Sequence, residues 1–216
     1  MFGALSTGEA WGCSLIFASY FVAIMTLTAA WGIPMMMQAY GMDLPTASSP
    51  LLIFNFMNIV GCLVFSYLSD RIKYILATLT IICIVRTILL LGLCPYIGSG
   101  LGLNAIDFLF GTLGLISGPV VPLIMRFLKD VYQPEYVATG VAINSTLAGI
   151  IGGFVQPIIG FALESTWTGL SNGNGKIYSP FGFDVLVGLL AIFSLLGIAG
   201  HALISLKLRP MNDVGF

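Results

Sequence analysis

Residues 61–74 read Gly61-Cys-Leu-Val-Phe-Ser-Tyr-Leu-Ser-Asp-Arg-Ile-Lys-Tyr74. An apolar run with only small polar interruptions ends abruptly in Asp70, Arg71 and Lys73, and Ile75 opens another apolar run. Charge is scarce elsewhere: of 216 residues, 58% are hydrophobic and 8% charged, and the mean hydropathy is +1.02. Soluble domains carry about a quarter charged residues. A chain of this length with so few cannot cover a water-facing surface. The boundary near residue 70 therefore reads as the point where a helix leaves a bilayer, and the chain as an all-α membrane protein.

A hydrocarbon core of about 30 Å needs about 20 helical residues. Six segments qualify: 12–34, 50–69, 75–94, 104–126, 137–163 and 182–206. The runs are long and do not alternate, which points to helices and not to barrel strands. The connections are short except 164–181, where "SNGNGKIYSP" predicts a turn-rich loop. The whole chain, 1–216, reads as one six-helix transmembrane bundle. Cys13, Cys62, Cys83 and Cys94 form no CxxC pair and read as small hydrophobes.

The basic residues predict an orientation. Arg71 and Lys73 follow span two, Arg126 and Lys129 follow span four, and Lys207 and Arg209 follow span six. The opposite side has Lys176 alone, while Arg86 lies inside span three. The positive-inside rule then places both termini in the cytoplasm. Trp11, Trp31 and Trp167 fall near span ends, as interfacial aromatics do. A net charge of −1 argues against nucleic acid as a partner. The bilayer itself is the partner that composition demands.

Helices in lipid have little hydrophobic drive to associate, so small and polar residues mark their buried seams. Span one carries Ser19, Ala23, Thr26 and Ala30 on one stripe, and span two carries Asn55, Asn58, Cys62, Ser66 and Ser69. Span four has Asp107, Gly111, Gly114, Gly118 and Pro122; span five has a broad face that includes Asn144, Gly149, Gly152, Gly153, Gln156 and Gly160. Spans three and six are oilier. That distribution predicts a cavity lined by spans one, two, four and five, with three and six as outer buttresses. A faint echo, "WGIPMMM" at the end of span one and "GPVVPLIM" in span four, suggests two inverted triplets.

"YLSDRIKY" resembles the cytoplasmic loop motif of the major facilitator superfamily, which reads roughly Gly-x-x-x-Asp-Arg-x-Gly-Arg-Arg. Asp70 and Arg71 match it, Ser66 stands where the glycine would be, and Lys73 and Tyr74 match the basic pair only in part. "GVAINSTLAGIIGGFVQPIIGFALE" is similar to the eleventh helix of that superfamily, and the resemblance covers the chain as helices seven to twelve. "WGIPMMMQAYGMD" and "VQPIIG" look similar to solute transporters of that superfamily from intracellular bacteria. The resemblance implies one half of the fold, a 3+3 inverted repeat, in a bacterial inner membrane. It implies secondary active transport of a small solute by alternating access, with Asp70, Arg71 and Lys73 as a gating loop. A separate amino-terminal six-helix half or a second copy would complete the carrier. Residues 1–13 carry no long basic linker, which fits a split or truncated carrier.

Arg86 sits well inside span three, where an arginine costs about 2.5–3.5 kcal/mol on insertion scales and so should have a partner. Asp107, at comparable depth, is the expected one, giving a buried charge pair. Asn55, Asn58, Asn144 and Gln156 either bind solute or bond helix to helix, the latter worth about 1 kcal/mol or less each. Tyr20 either stacks on a solute or packs. His201 reads as interfacial packing and not as a proton relay. The single histidine has no Ser or Cys partner motif and no HExxH occurs, so the chain is not expected to be an enzyme, and no cofactor or metal is expected. The alternative to a carrier half is a non-transporting assembly or regulatory protein; an intramembrane enzyme stands behind both.

Overall fold

The computed structural model describes residues 8–98, 101–172 and 175–212, with the side chains of 8–10, 97, 98, 131, 172 and 207–212 outside the described residues; Lys207 and Arg209 fall there, as do both chain ends. Six helices are long and apolar enough to cross a membrane: Trp11–Ala39, Leu44–Arg71, Ile75–Gly92, Leu103–Asp130, Pro134–Glu164 and Pro180–Leu206. They overlie the six expected spans and in five cases extend them, while span three ends two residues early.

Span one runs furthest beyond its expected end, and Pro34 explains how. A proline inside a continuous helix clashes with the carbonyl four residues back and leaves it without a donor. Here the α-helix gives way to a π-helical stretch, Met25–Trp31, and a fresh α-helix starts at Gly32 and runs to Ala39. Pro34 then lies in a first turn, where no amide hydrogen is needed. Span four is likewise two pieces, Leu103–Ser117 and Val120–Val131, divided at Gly118-Pro119.

Residues 164–181, expected as a loop, contain a β-hairpin. Strand β1, Trp167–Asn172, pairs antiparallel with β2, Gly175–Tyr178, with Trp167 opposite Tyr178. Gly169 and Gly175 supply positive φ angles of 81° and 123°. The Lys176 ammonium lies 4.7 Å from the centre of the Trp167 ring and hydrogen-bonds Glu164, which raises the Lys176 pKa. Gln38, near the end of span one, grips the hairpin backbone twice: Oε1 accepts from the Tyr178 amide at 2.9 Å and Nε2 donates to the Lys176 carbonyl at 3.2 Å.

The helices meet through glycine. A Cβ on Gly114 would strike the Phe54 carbonyl, one on Gly61 the Leu115 carbonyl, and one on Gly118 the Asn58 carbonyl, so spans two and four touch backbone to backbone. Gly12 and Gly200 do the same between spans one and six. Such approach is how helices gain contact where lipid is as apolar as leucine. Span one packs on spans five and six, span four packs on spans two and three, and span three packs on span six. Spans one and four are the most enclosed, and spans two and five are the least buried. Spans three and six are intermediate in burial.

Two apolar clusters fill the interior. One, near the hairpin end, gathers Leu27, Met35, Leu51, Phe54, Phe110 and Phe183; the other gathers Ile16, Leu79, Leu123, Phe127 and Ile204. Along their helices, Ser19, Arg86 and Ser194 fall between the two clusters.

Candidate functional site

A groove of about 510 Å³ opens between spans one and five. Its walls are Phe21, Met25, Ala29, Ala30 and Trp31 on one side and Gly149, Gly152, Gly153 and Gln156 on the other. Two local features make it. The π-helical stretch displaces Ala29 and Ala30 outward, and both are exposed. Opposite them, Gly149 and Gly153 have nothing within 4 Å of where a Cβ would stand, whereas Gly152 lies against the Phe21 ring. The missing side chains are the space. π-helical insertions are frequent at functional sites because they re-aim a short run of side chains.

Among the described residues, the groove's polar groups are the Gln156 amide and the indole N–H of Trp31. Gln156 Nε2 donates to Thr26 Oγ1 at 2.8 Å, while Oε1 is buried without a hydrogen-bond partner. At the hairpin end, Trp31 meets Tyr178 edge-on, with ring centroids 5.9 Å apart, and Tyr178 meets Phe183 in the same way at 6.4 Å. Among the described residues, no charged one lines the groove.

The other expected solute ligands lie elsewhere. Asn144 is fully buried, accepting from Ser14 Oγ at 3.1 Å and donating to the Gly140 carbonyl at 3.1 Å. With its amide satisfied and sealed, it joins spans one and five and cannot meet a solute in this state. Asn55 is exposed and bonds back to the Leu51 carbonyl of its own helix at 2.8 Å. Asn58 leans on the Gly114 carbonyl of span four at 3.5 Å and hydrogen-bonds Tyr20, so these two residues tie span two to its neighbours. Tyr20 also stacks on Phe17 at 6.0 Å.

The expected Arg86–Asp107 pair does not form. Arg86 is 1% exposed; its Nε donates to Ser194 Oγ at 3.0 Å and one terminal nitrogen to Ser19 Oγ at 2.7 Å. Arg86 thus faces spans one and six, and hydroxyls, not a carboxylate, hold it. Asp107 Oδ1 is buried without a hydrogen-bond partner, and no ion pair joins the two among the described residues.

At the opposite end from the hairpin, Asp70 meets Arg126 at 3.3 Å, and Arg126 also lies 3.9 Å from Asp130 and donates to the Ser69 carbonyl. The loop after span two is thereby fastened to the end of span four. Arg71 is exposed and makes no ion pair among the described residues. Lys73 lines a second cavity, of about 420 Å³, with Tyr74, Phe127, Asp130 and His201. His201 hydrogen-bonds Thr80 across spans three and six.

Composition, span length and packing define a multi-pass integral membrane protein of six helices. Comparison with known protein families, with curated proteins and with solved structures gives no match for this chain.

Proposed function

We propose that this chain is one six-helix half of a major-facilitator-type secondary carrier, with both termini cytoplasmic in a bacterial inner membrane. The observation that carries the reading is the exchange of packing partners. Span one rests on five and six, and span four rests on two and three. Replacing each span by its counterpart three places along carries these principal contacts onto one another, as two inverted triplets would. The Asp70–Arg126 contact fits a gate that holds the cytoplasmic loops together in one state. The groove beside Gln156 and the π-helical stretch gives one wall of a solute pathway, facing outward as a half-site must.

A second six-helix body, a separate chain or another copy, supplies the facing wall. Uptake into proteoliposomes containing this chain alone, and this chain with a six-span partner, tests the reading against amino acids, peptides, sugars and organic acids. Accumulation by the paired sample alone is the expected result. No accumulation of any solute in either sample would favour an assembly or regulatory role.

A further inference from the structure

The groove's lining specifies a ligand. We infer that it binds a small, uncharged solute with a flat apolar face and one hydroxyl or amide group, held by Gln156. This rests on the carrier reading and adds the substrate class to it.

Three observations lead there. Ligand pockets commonly run to about 300–1,000 Å³ and combine apolar walls with a few placed polar groups; this groove, at about 510 Å³, has aromatic Phe21 and Trp31 and a single amide. Among the described residues, no Asp, Glu, Lys, Arg or His lines it. An ion entering would lose its hydration with no opposite charge to replace it, a penalty that a neutral molecule escapes. The Gln156 amide is also half-used: its nitrogen is engaged by Thr26, and its oxygen is buried without a partner. A buried polar atom left unpaired is costly; turning the Gln156 side chain so that this oxygen meets the groove would let a ligand pair with it and recover that cost. Rotation of the amide by half a turn exchanges oxygen and nitrogen, so a hydroxyl or amide, able both to donate and to accept, suits either arrangement.

Trp31 supplies a reporter. In a Trp11→Phe, Trp167→Phe background it is the one remaining tryptophan of the three. Phenylacetamide, phenylacetate and phenethylamine share a ring and differ in charge. The expected result is a saturable change in Trp31 emission with phenylacetamide, and binding at least about tenfold weaker for the two ions, as loss of an uncompensated charge's hydration requires. Gln156→Leu should weaken phenylacetamide about tenfold. Gly153→Phe, at a groove-lining position where a Cβ has nothing within 4 Å, should abolish the signal while leaving the helical circular dichroism intact. Equal binding of all three compounds, or affinity unmoved by both variants, overturns the inference. Neutral-selective binding without uptake of any solute sinks the carrier reading and leaves the site standing. Uptake of ions with no phenylacetamide binding does the reverse.

Discussion

Two alanine substitutions, chemically identical, should change stability in opposite directions. At Gly114 a new Cβ lands on the Phe54 carbonyl, a backbone atom of span two with no freedom to rotate away. Forcing extra volume into a packed seam costs about 1–3 kcal/mol. Replacing glycine by alanine inside a helix returns about 0.5–1 kcal/mol, so the net loss is up to about 2.5 kcal/mol. At Gly149 nothing lies within 4 Å of the new methyl group, so only the gain remains. Gly149→Ala should therefore stabilise by up to about 1 kcal/mol. The helix-propensity gain is common to both, so the two variants are expected to differ by the overpacking cost alone, about 1–3 kcal/mol. Reversible unfolding in mixed micelles, titrated with sodium dodecyl sulfate and followed by circular dichroism, measures both against the parent. Equal effects, or a Gly114→Ala midpoint at or above the parent's, would mean that spans two and four do not meet backbone to backbone, and the packing would have to be redrawn.

Ser19→Ala should cost about 1.5–3 kcal/mol, the worth of a hydrogen bond to a charged group, because Arg86 stays buried with one acceptor fewer. Arg86→Met should cost less, since a buried charge replaced by an apolar side chain of similar length is often neutral or stabilising; the same unfolding titration ranks them. Asp70→Asn should cost under about 1 kcal/mol, and less in high salt, because the Asp70 carboxylate is 92% exposed. Tyr40 donates to the Leu93 carbonyl at 3.0 Å, and burial, then the neighbouring Cys94 and Asp184, pushes its pKa up to about 12. The folded state then holds this proton where the unfolded state has lost it, so stability is intact below about pH 10 and declines toward pH 12. Unfolding midpoints across that range should fall for the parent and fall less for Tyr40→Phe.

Much of this fold was legible in residue order alone. Length, low charge and the charge cluster at residues 70–73 delimit six helices, because hydrocarbon thickness sets element length whatever the tertiary contacts. The extra turn that carries span one to Ala39 was not legible, since it depends on the chain entering a π-helical stretch before Pro34. The hairpin was read as a loop because its glycines and asparagines dominate the local pattern; Gln38, far away in sequence, helps to hold it.

The site was legible in part. Gln156 lies on the groove, yet the same type of argument also picked Asn144, which Ser14 satisfies from 130 residues away. Amide residues on a helix face look alike until the neighbouring helix is in place. The small-residue face of span five was visible, but which glycines pack and which stay open was not: Gly152 touches Phe21, while Gly149 and Gly153 leave room. Depth along the membrane matched Arg86 with Asp107, whereas the azimuth of Arg86 on span three turns it toward Ser19 and Ser194.

The claim that the groove between spans one and five is a transport path is tested most directly by labelling one position from each side of the membrane. Gly153→Cys, in a chain whose native cysteines are replaced, is exposed to a membrane-impermeant maleimide in sealed vesicles of either orientation. Alternating access predicts reaction from both sides, slowed by phenylacetamide. A thiol that reacts from neither side would place the groove against lipid, and one that reacts from a single side would leave no path across.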